Sequence, residues 1–512
     1  MPRRPQAASP GGATRDEGED GGFRATTGVP AGYRRIWSRR DPRGWAAGWP
    51  HLPGGGPPGS GKTTLGNQLA FHHASAGGRV VVATLLAESH DVILANLQGF
   101  TFFDPALVGT RVHYLNLFDT LEEEGLAGVI TAVRRVARET QATLVIVDGA
   151  AVIEDVAASP LERRRFVQQL HAQATLLDTT TVLLTGHTRD DIGALGAHVD
   201  GIVVLANDST DARQERMVEV LKLRGGAHIR GTHAFAITES GLTIYPRLES
   251  VTGGRRPAET PEEGLGLGTG VAGLDTMLGG GLLPFSSTLV MGTPGSGKTV
   301  LGLSFLLEGA GRGERGLLAG FHETEPDLIT TAARIGFDLR GAIDAGLIRI
   351  LWDPPLELSA DGWAWRLLET VAEHRPQRVF VDALTDIQRF ITAPHRMPTY
   401  AAALTNELRA RGATALIALE IDAFVDDELA VPVPAASATM DNGVLLRQVE
   451  LRSSLHRLIS VLKARQMETD PAIREFTISA QGITVSGPFA ATSGLLIGRA
   501  APLEAPPADE AP

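Results

Sequence analysis

The chain has 512 residues, enough for two to four domains at about 100–200 residues each. With 43% hydrophobic and 21% charged residues it is composed as ordinary globular protein, and the lack of cysteine excludes disulfides, zinc fingers, iron–sulfur ligation and thiol catalysis. A formal net charge of −12 argues against gripping nucleic-acid backbone, and no apolar run approaches the ~18 residues of a membrane span. The arginines near the start have no apolar stretch behind them, so no secretory signal is read and a cytoplasmic place is expected.

In chain order, residues 1–55 come first as an atypical leader: nine Arg, three of the six Trp, much Gly and Pro, and no strand or helix period. The run Gly56-Pro-Pro-Gly-Ser-Gly-Lys62-Thr63 follows, opening a helix predicted to about Ala76. Then come a strand over Arg79–Leu86, a helix over Ser89–Gln98, a strand at Arg111–Leu115 and a long helix Glu122–Thr140. The strand Leu144–Val147, the helix Pro160–Leu177 and the strand Thr181–Thr185 complete an alternating pattern. Short β runs with turns follow at Gly201–Leu205, Met217–Arg224 and His233–Thr238. Residues 249–264 carry no period and read as a linker. The pattern then repeats: Thr288–Met291, a second glycine-rich loop and helix, Gly316–His322, Leu347–Trp352, Arg378–Val381, Ala415–Leu419, and β runs to Ile483. The Ala/Pro-rich residues 487–512 read as a disordered tail.

The repeat is a tandem duplication. Gly292-Thr-Pro-Gly-Ser-Gly-Lys298-Thr299 restates the first loop at an offset of 236, and Val461-Leu-Lys463-Ala-Arg465 restates Val220-Leu-Lys222-Leu-Arg224 at 241. Strand–helix alternation followed by hairpins predicts an α/β fold in each copy, a mostly parallel sheet flanked by helices with an antiparallel extension at its C-terminal end. The copies are placed at residues 56–248 and 265–486. Copy two has a buried strand, Ser287–Met291, before its loop, whereas copy one offers only Gly44–Pro53, so its first strand is expected to be missing. Either the leader is divergent, or the start of the chain does not encode that strand.

Lys and Arg together number 47, yet only Lys62, Lys222, Lys298 and Lys463 are lysine. An ammonium is a compact point charge that a planar guanidinium does not replace, so all four positions are candidates for chemistry. Gly-x-x-x-x-Gly-Lys-Thr, found twice, is a phosphate-binding loop: its glycines turn backbone N–H groups inward and the following helix adds its positive end. The nucleotide-binding candidates are Gly56, Gly59, Ser60, Gly61, Lys62, Thr63 and Thr64, and in copy two Gly292, Thr293, Pro294, Gly295, Ser296, Gly297, Lys298, Thr299 and Val300. The Thr63 and Thr299 hydroxyls, with Asp148 and Asp382 at the ends of apolar strands, are placed to hold Mg²⁺ beside ATP. Glu88 and Glu323 end matching strands and are read as bases for the attacking water, the alternative being acids near a helix start. Lys222 with Arg224 and Lys463 with Arg465 alternate along a strand; they are read as cations that stabilise γ-phosphate charge on a neighbouring subunit, against a solvated edge strand.

These residues resemble the KaiC family of double-domain RecA-like ATPases. The marks are both loops, Gly270-Val-Ala-Gly-Leu-Asp275 with Leu278-Gly-Gly-Gly-Leu282, Leu221-Lys-Leu-Arg-Gly225, and Val461-Leu-Lys-Ala-Arg465 followed by Ala472-Ile-Arg-Glu-Phe476. The resemblance implies two tandem RecA-like P-loop domains and ATP bound between subunits of a homo-oligomeric ring, usually a hexamer, with the Lys-x-Arg pair acting in trans. Two departures are visible. The family often has two adjacent glutamates after the second strand, where this chain has Ala87-Glu88 and His322-Glu323. The family's clock protein phosphorylates an adjacent Ser-Thr pair, where this chain has Ser437-Ala438, leaving Ser437 as a single candidate phosphosite. The expected function is an ATP-hydrolysing ring that regulates an unknown protein partner. A clock-type serine/threonine autokinase is the alternative and a DNA recombination or repair ATPase the third choice; binding to nucleic acid or membrane is not expected.

Overall fold

In the computed structural model, the described residues form two nine-stranded sheets that follow one another with the same strand order. The structure describes residues 51–55, 57, 59–186, 198–210, 213–251, 266–354, 359–391, 393–421, 439–451, 453–465 and 468–489. The leader through residue 50, Gly56, most of the linker, Ser437 and the end of the tail lie outside the described residues.

The first sheet comprises β1 (His51–Gly55), β2 (Val80–Thr84), β3 (Val112–Asn116), β4 (Leu144–Asp148), β5 (Thr180–Leu184), β6 (Gly201–Thr210), β7 (Arg213–Leu223), β8 (Thr232–Thr238) and β9 (Gly241–Tyr245). Its order is β3-β2-β4-β5-β1-β6-β7-β8-β9. Neighbours from β3 to β6 are parallel and those from β6 to β9 antiparallel. The second sheet comprises β10 (Ser287–Gly292), β11 (Gly316–Gly320), β12 (Ile348–Trp352), β13 (Arg378–Asp382), β14 (Thr414–Glu420), β15 (Asn442–Leu451), β16 (Ser454–Ala464), β17 (Arg474–Ser479) and β18 (Gly482–Pro488), in the order β12-β11-β13-β14-β10-β15-β16-β17-β18. The parallel strands read as continuous apolar runs because helices cover both their faces; β2, β5 and β11 are buried throughout.

The expectation of a missing first strand is corrected. His51–Gly55 forms β1, parallel to β5 from His51 against Thr181 to Gly54 against Leu184, and parallel to β6 at Gly54 and Gly55. The sequence His-Leu-Pro-Gly-Gly hid it, since Pro53 lacks the N–H that a central strand uses and glycine disfavours strands. The slot between β5 and β6 imposes what local propensity does not. The linker is corrected as well: Leu248–Val251 is helical, and Leu248 is wholly buried in the core of the second repeat. The antiparallel extension includes β9, which had no counterpart in the sequence reading.

Each glycine-rich loop lies at the C-terminal end of the central strand, β1 or β10, where parallel α/β sheets present ligand sites. The helices that follow the loops are Lys62–Ser75 and Lys298–Gly311.

Candidate nucleotide site

The two loops share one backbone geometry. Gly59 and Gly295 have φ of 74° and 73°, and Gly61 and Gly297, which cap the helices, have 92° and 106°. These left-handed values turn successive N–H groups to one side, and a side chain at Gly297 would also press on Ile478 at 3.0 Å. At Gly292 a Cβ would come 2.4 Å from Ser296 Oγ and 2.8 Å from the Leu446 carbonyl, so the loop closes only around glycine.

Lys298 is buried to 7% exposure, and its ammonium donates to the carbonyls of Gly292 at 2.8 Å and Thr293 at 2.9 Å. Burial lowers its pKa, opposed by the negative charges of Glu420 and Asp382. In the first repeat Lys62 donates to the Pro57 carbonyl at 2.7 Å and to Ser60 Oγ at 3.4 Å. Thr299 Oγ1 donates to Asp382 Oδ2 at 2.7 Å, and Thr63 Oγ1 donates to Asp148 Oδ2 at the same distance. Each loop threonine is thus already beside the acid that ends β13 or β4. Burial pushes the Asp382 carboxyl up, and the Thr299 hydrogen bond and Lys298 pull it back.

The fit to a phosphate chain and a divalent ion rests on this donor set. Ser296 Oγ is buried without a hydrogen-bond partner, the lysine is spent on its own loop carbonyls, and one hydroxyl faces one carboxylate. A small hard cation takes only one or two protein oxygens when phosphates supply the rest. Among the described residues no group of three or more His, Asp or Glu could hold a metal by itself.

Glu323 lies just past β11, half-buried, and its carboxyl is pushed up first by burial, then by the negative charge of Asp382. Glu88 occupies the equivalent place past β2, and its carbonyl accepts from Asn116 Nδ2 at 3.1 Å. The Lys-x-Arg pairs are not gathered at their own loops. Lys463 pairs with Gly443 on β15, which pairs with Leu289 on β10, three residues before Gly292. At about 3.3 Å per residue this is roughly 10 Å short of the loop, and β16 runs on away from it toward Arg465, just past the strand end. Lys222 stands in the same relation on β7, opposite Ile202, with Arg224 just past the strand and 3.4 Å from Asp200.

A family model described as the KaiC ATPase matches residues 55–249 and again residues 267–488. The chain belongs to the KaiC ATPase family. The circadian clock oscillator protein KaiC of Picosynechococcus sp. is 28% identical over 449 residues, covering 85% of each chain. KaiC of Rippkaea orientalis is 27% identical over 448 residues and KaiC 1 of Synechocystis sp. 27% over 451, each covering 85% of this chain and 84% of the relative. As a KaiC-family ATPase the chain is a tandem nucleotide-binding P-loop protein. Among its described residues no helix is long and apolar enough to cross a membrane.

Two acids at the KaiC-type site of the second repeat escaped the sequence reading. Glu420 ends β14 and pairs in register with Gly292, at the head of the loop. It terminates an apolar β run just as Asp382 does, so the signal was present. Asp386 stands four residues after Asp382, on the helix Leu384–Phe390, and is buried. A single acid in a short helix gives no sequence signal of its own.

Proposed function

We propose that the chain hydrolyses ATP at two P-loop sites, works in the cytoplasm as a ring of copies of itself, six as the family resemblance implies, and through its nucleotide state regulates a protein partner. The observation that carries this reading is the duplicated constellation of lysine, threonine and strand-end aspartate, with Thr–Asp contacts of 2.7 Å in both repeats.

The loop N–H groups cradle phosphate oxygens, and Lys298 exchanges its two loop carbonyls for the β- and γ-phosphates. Thr299 and Asp382 would hold Mg²⁺, which when bound would neutralise negative charge on the phosphate chain. Glu323 accepts a proton from the attacking water, and burial together with the Asp382 charge raises its affinity for that proton. Lys463 and Arg465 run away from their own loop, as groups serving a neighbouring copy must. Their charge at the γ-phosphate replaces water with fixed cations where negative charge accumulates. Glu88, Lys222 and Arg224 have the same roles in the first repeat.

Size-exclusion chromatography with and without ATP, coupled to phosphate release, tests the reading. Lys298→Ala is expected to abolish nucleotide binding at the second site and to loosen the assembly. Unchanged ATP affinity at that site would remove the assignment.

A further inference from the structure

Beyond β11 the chain passes through Phe321, His322, Glu323 and Thr324 before the helix Glu325–Arg334. His322 Nε2 lies 3.0 Å from Asp386 Oδ1. A carboxylate has no proton to give, so Nε2–H is the donor and the imidazole lone pair is fixed on Nδ1. The Asp386 side chain is 8% exposed and that of His322 62%, so the orienting group is held inside the protein while the ring reaches solvent. Arg389, on the same helix as Asp386, reaches the same carboxylate oxygen at 3.3 Å and keeps it in place.

The location matters as much as the pair. Gly320 and Asp382 are register partners on β11 and β13, so the ends of these strands bring Glu323, Asp382 and the His322–Asp386 pair to the edge of the sheet that carries the P-loop. The charge of His322 acts on Glu323, whose other neighbours in this field are Asp382 and Asp327. The first repeat has nothing equivalent: Ala87 precedes Glu88, and Val152 stands four residues after Asp148.

We propose that His322, oriented by Asp386, is a second proton acceptor for ATP hydrolysis in the second repeat. This rests on the hydrolytic reading above. As the water oxygen bonds to the γ-phosphorus, its proton passes to Nδ1. The bond between that phosphorus and the bridging oxygen breaks, its electron pair leaving on the β-phosphate of ADP. The imidazolium then releases its proton to solvent, and Asp386 stays a carboxylate throughout, the division of labour between a base and its orienting acid. Glu323 is half-buried in the field of Asp382 and Asp327, and His322 beside it supplies a second base, on a ring that reaches solvent.

The test uses the full-length chain carrying Glu88→Gln, so that turnover reports the second repeat. Phosphate release is followed from about pH 5.5 to 9, the range in which histidine changes charge, with binding of a fluorescent ATP analogue measured in parallel. His322→Gln is expected to keep ATP binding, to slow turnover by on the order of 10²-fold and to lose the acid limb of the profile. Asp386→Asn is expected to slow turnover while keeping that limb. His322→Glu is expected to restore turnover, with the limb moved toward the ordinary carboxylate range near about 4. Superimposable pH profiles for His322→Gln and its parent overturn the proposal, as does loss of ATP binding in that variant. A parent that binds ATP and never turns it over in the second repeat overturns the hydrolytic reading itself, so the two failures are read apart.

Discussion

Lys298 and Glu323 illustrate how much of a site single residues announce. The lysine was legible from scarcity as well as motif, since a chain with four lysines places two in its P-loops. Glu323 is a candidate from its place after a strand, and in the structure burial and the Asp382 charge make its carboxylate readier to take a proton. Glu323→Gln is therefore expected to hold ATP while slowing hydrolysis at that site by about 10²–10⁴-fold, read by single-turnover phosphate release. A larger loss than in His322→Gln would rank Glu323 as the principal base. Asp386 was not legible, because its meaning depends on a histidine 64 residues away that only the fold brings to 3.0 Å.

At the scale of elements, strands were legible where apolar residues run without interruption and illegible where tertiary context overrides composition. β4 and β13 each end on the expected aspartate, and the helix Pro160–Leu177 has the bounds its periodicity gave. β1 was hidden by Pro53 and its glycines. Arg378, the first residue of β13, is wholly buried, which no pattern of apolar residues suggests. Its guanidinium donates to Glu314 at 2.5 Å, to the Gly268 carbonyl at 2.6 Å and to the Phe305 carbonyl at 2.9 Å, and lies 4.8 Å from the centre of the Phe305 ring. It ties the strand that ends on Asp382 to the helix that starts at Lys298. Arg378→Ala is expected to destabilise the second repeat by about 3–5 kcal/mol, because Glu314 and two carbonyls lose their partner, and differential scanning calorimetry would register the loss.

Over the whole molecule the two repeats are joined by more than a linker. Arg396 reaches Glu249 at 2.8 and 3.0 Å and both oxygens of Asp361 at 3.0 and 3.1 Å. The Leu248 amide donates to Asp361 at 3.1 Å, and Trp365 Nε1 donates to the Pro246 carbonyl at 2.8 Å. Burial pushes the Asp361 carboxyl up to about 6 in spite of Arg396, and burial together with the Asp361 charge pushes Glu215 up to about 7. An acid with a raised pKa binds in the folded state a proton that the unfolded chain has released, so its contribution to stability falls as pH rises from about 4 to 7. His233 works the other way: burial pushes it down to about 4, and its contribution is lost on acidification below about 6.5. The difference between variants isolates the acid. Asp361→Asn is expected to flatten the fall in melting temperature between about pH 4 and 6 relative to the parent chain, and an identical slope would remove Asp361 as its source.

Leu248 makes that junction a plug in a socket. The residue belongs by sequence to the first repeat, yet its side chain joins the buried cluster that holds Trp363 and Tyr400 of the second, with no exposed surface. Cutting the chain between residues 252 and 265 therefore leaves the plug on one fragment and an empty socket on the other. A Leu→Ala cavity typically costs about 2–5 kcal/mol, and a fragment starting at residue 265 would carry at least that deficit, along with Arg396 and Asp361 stripped of their Glu249 and Leu248 partners. A fragment starting at residue 245 would keep the plug and is expected to melt at higher temperature. That outcome would set the start of the second folding unit some twenty residues before the repeat that begins at residue 265.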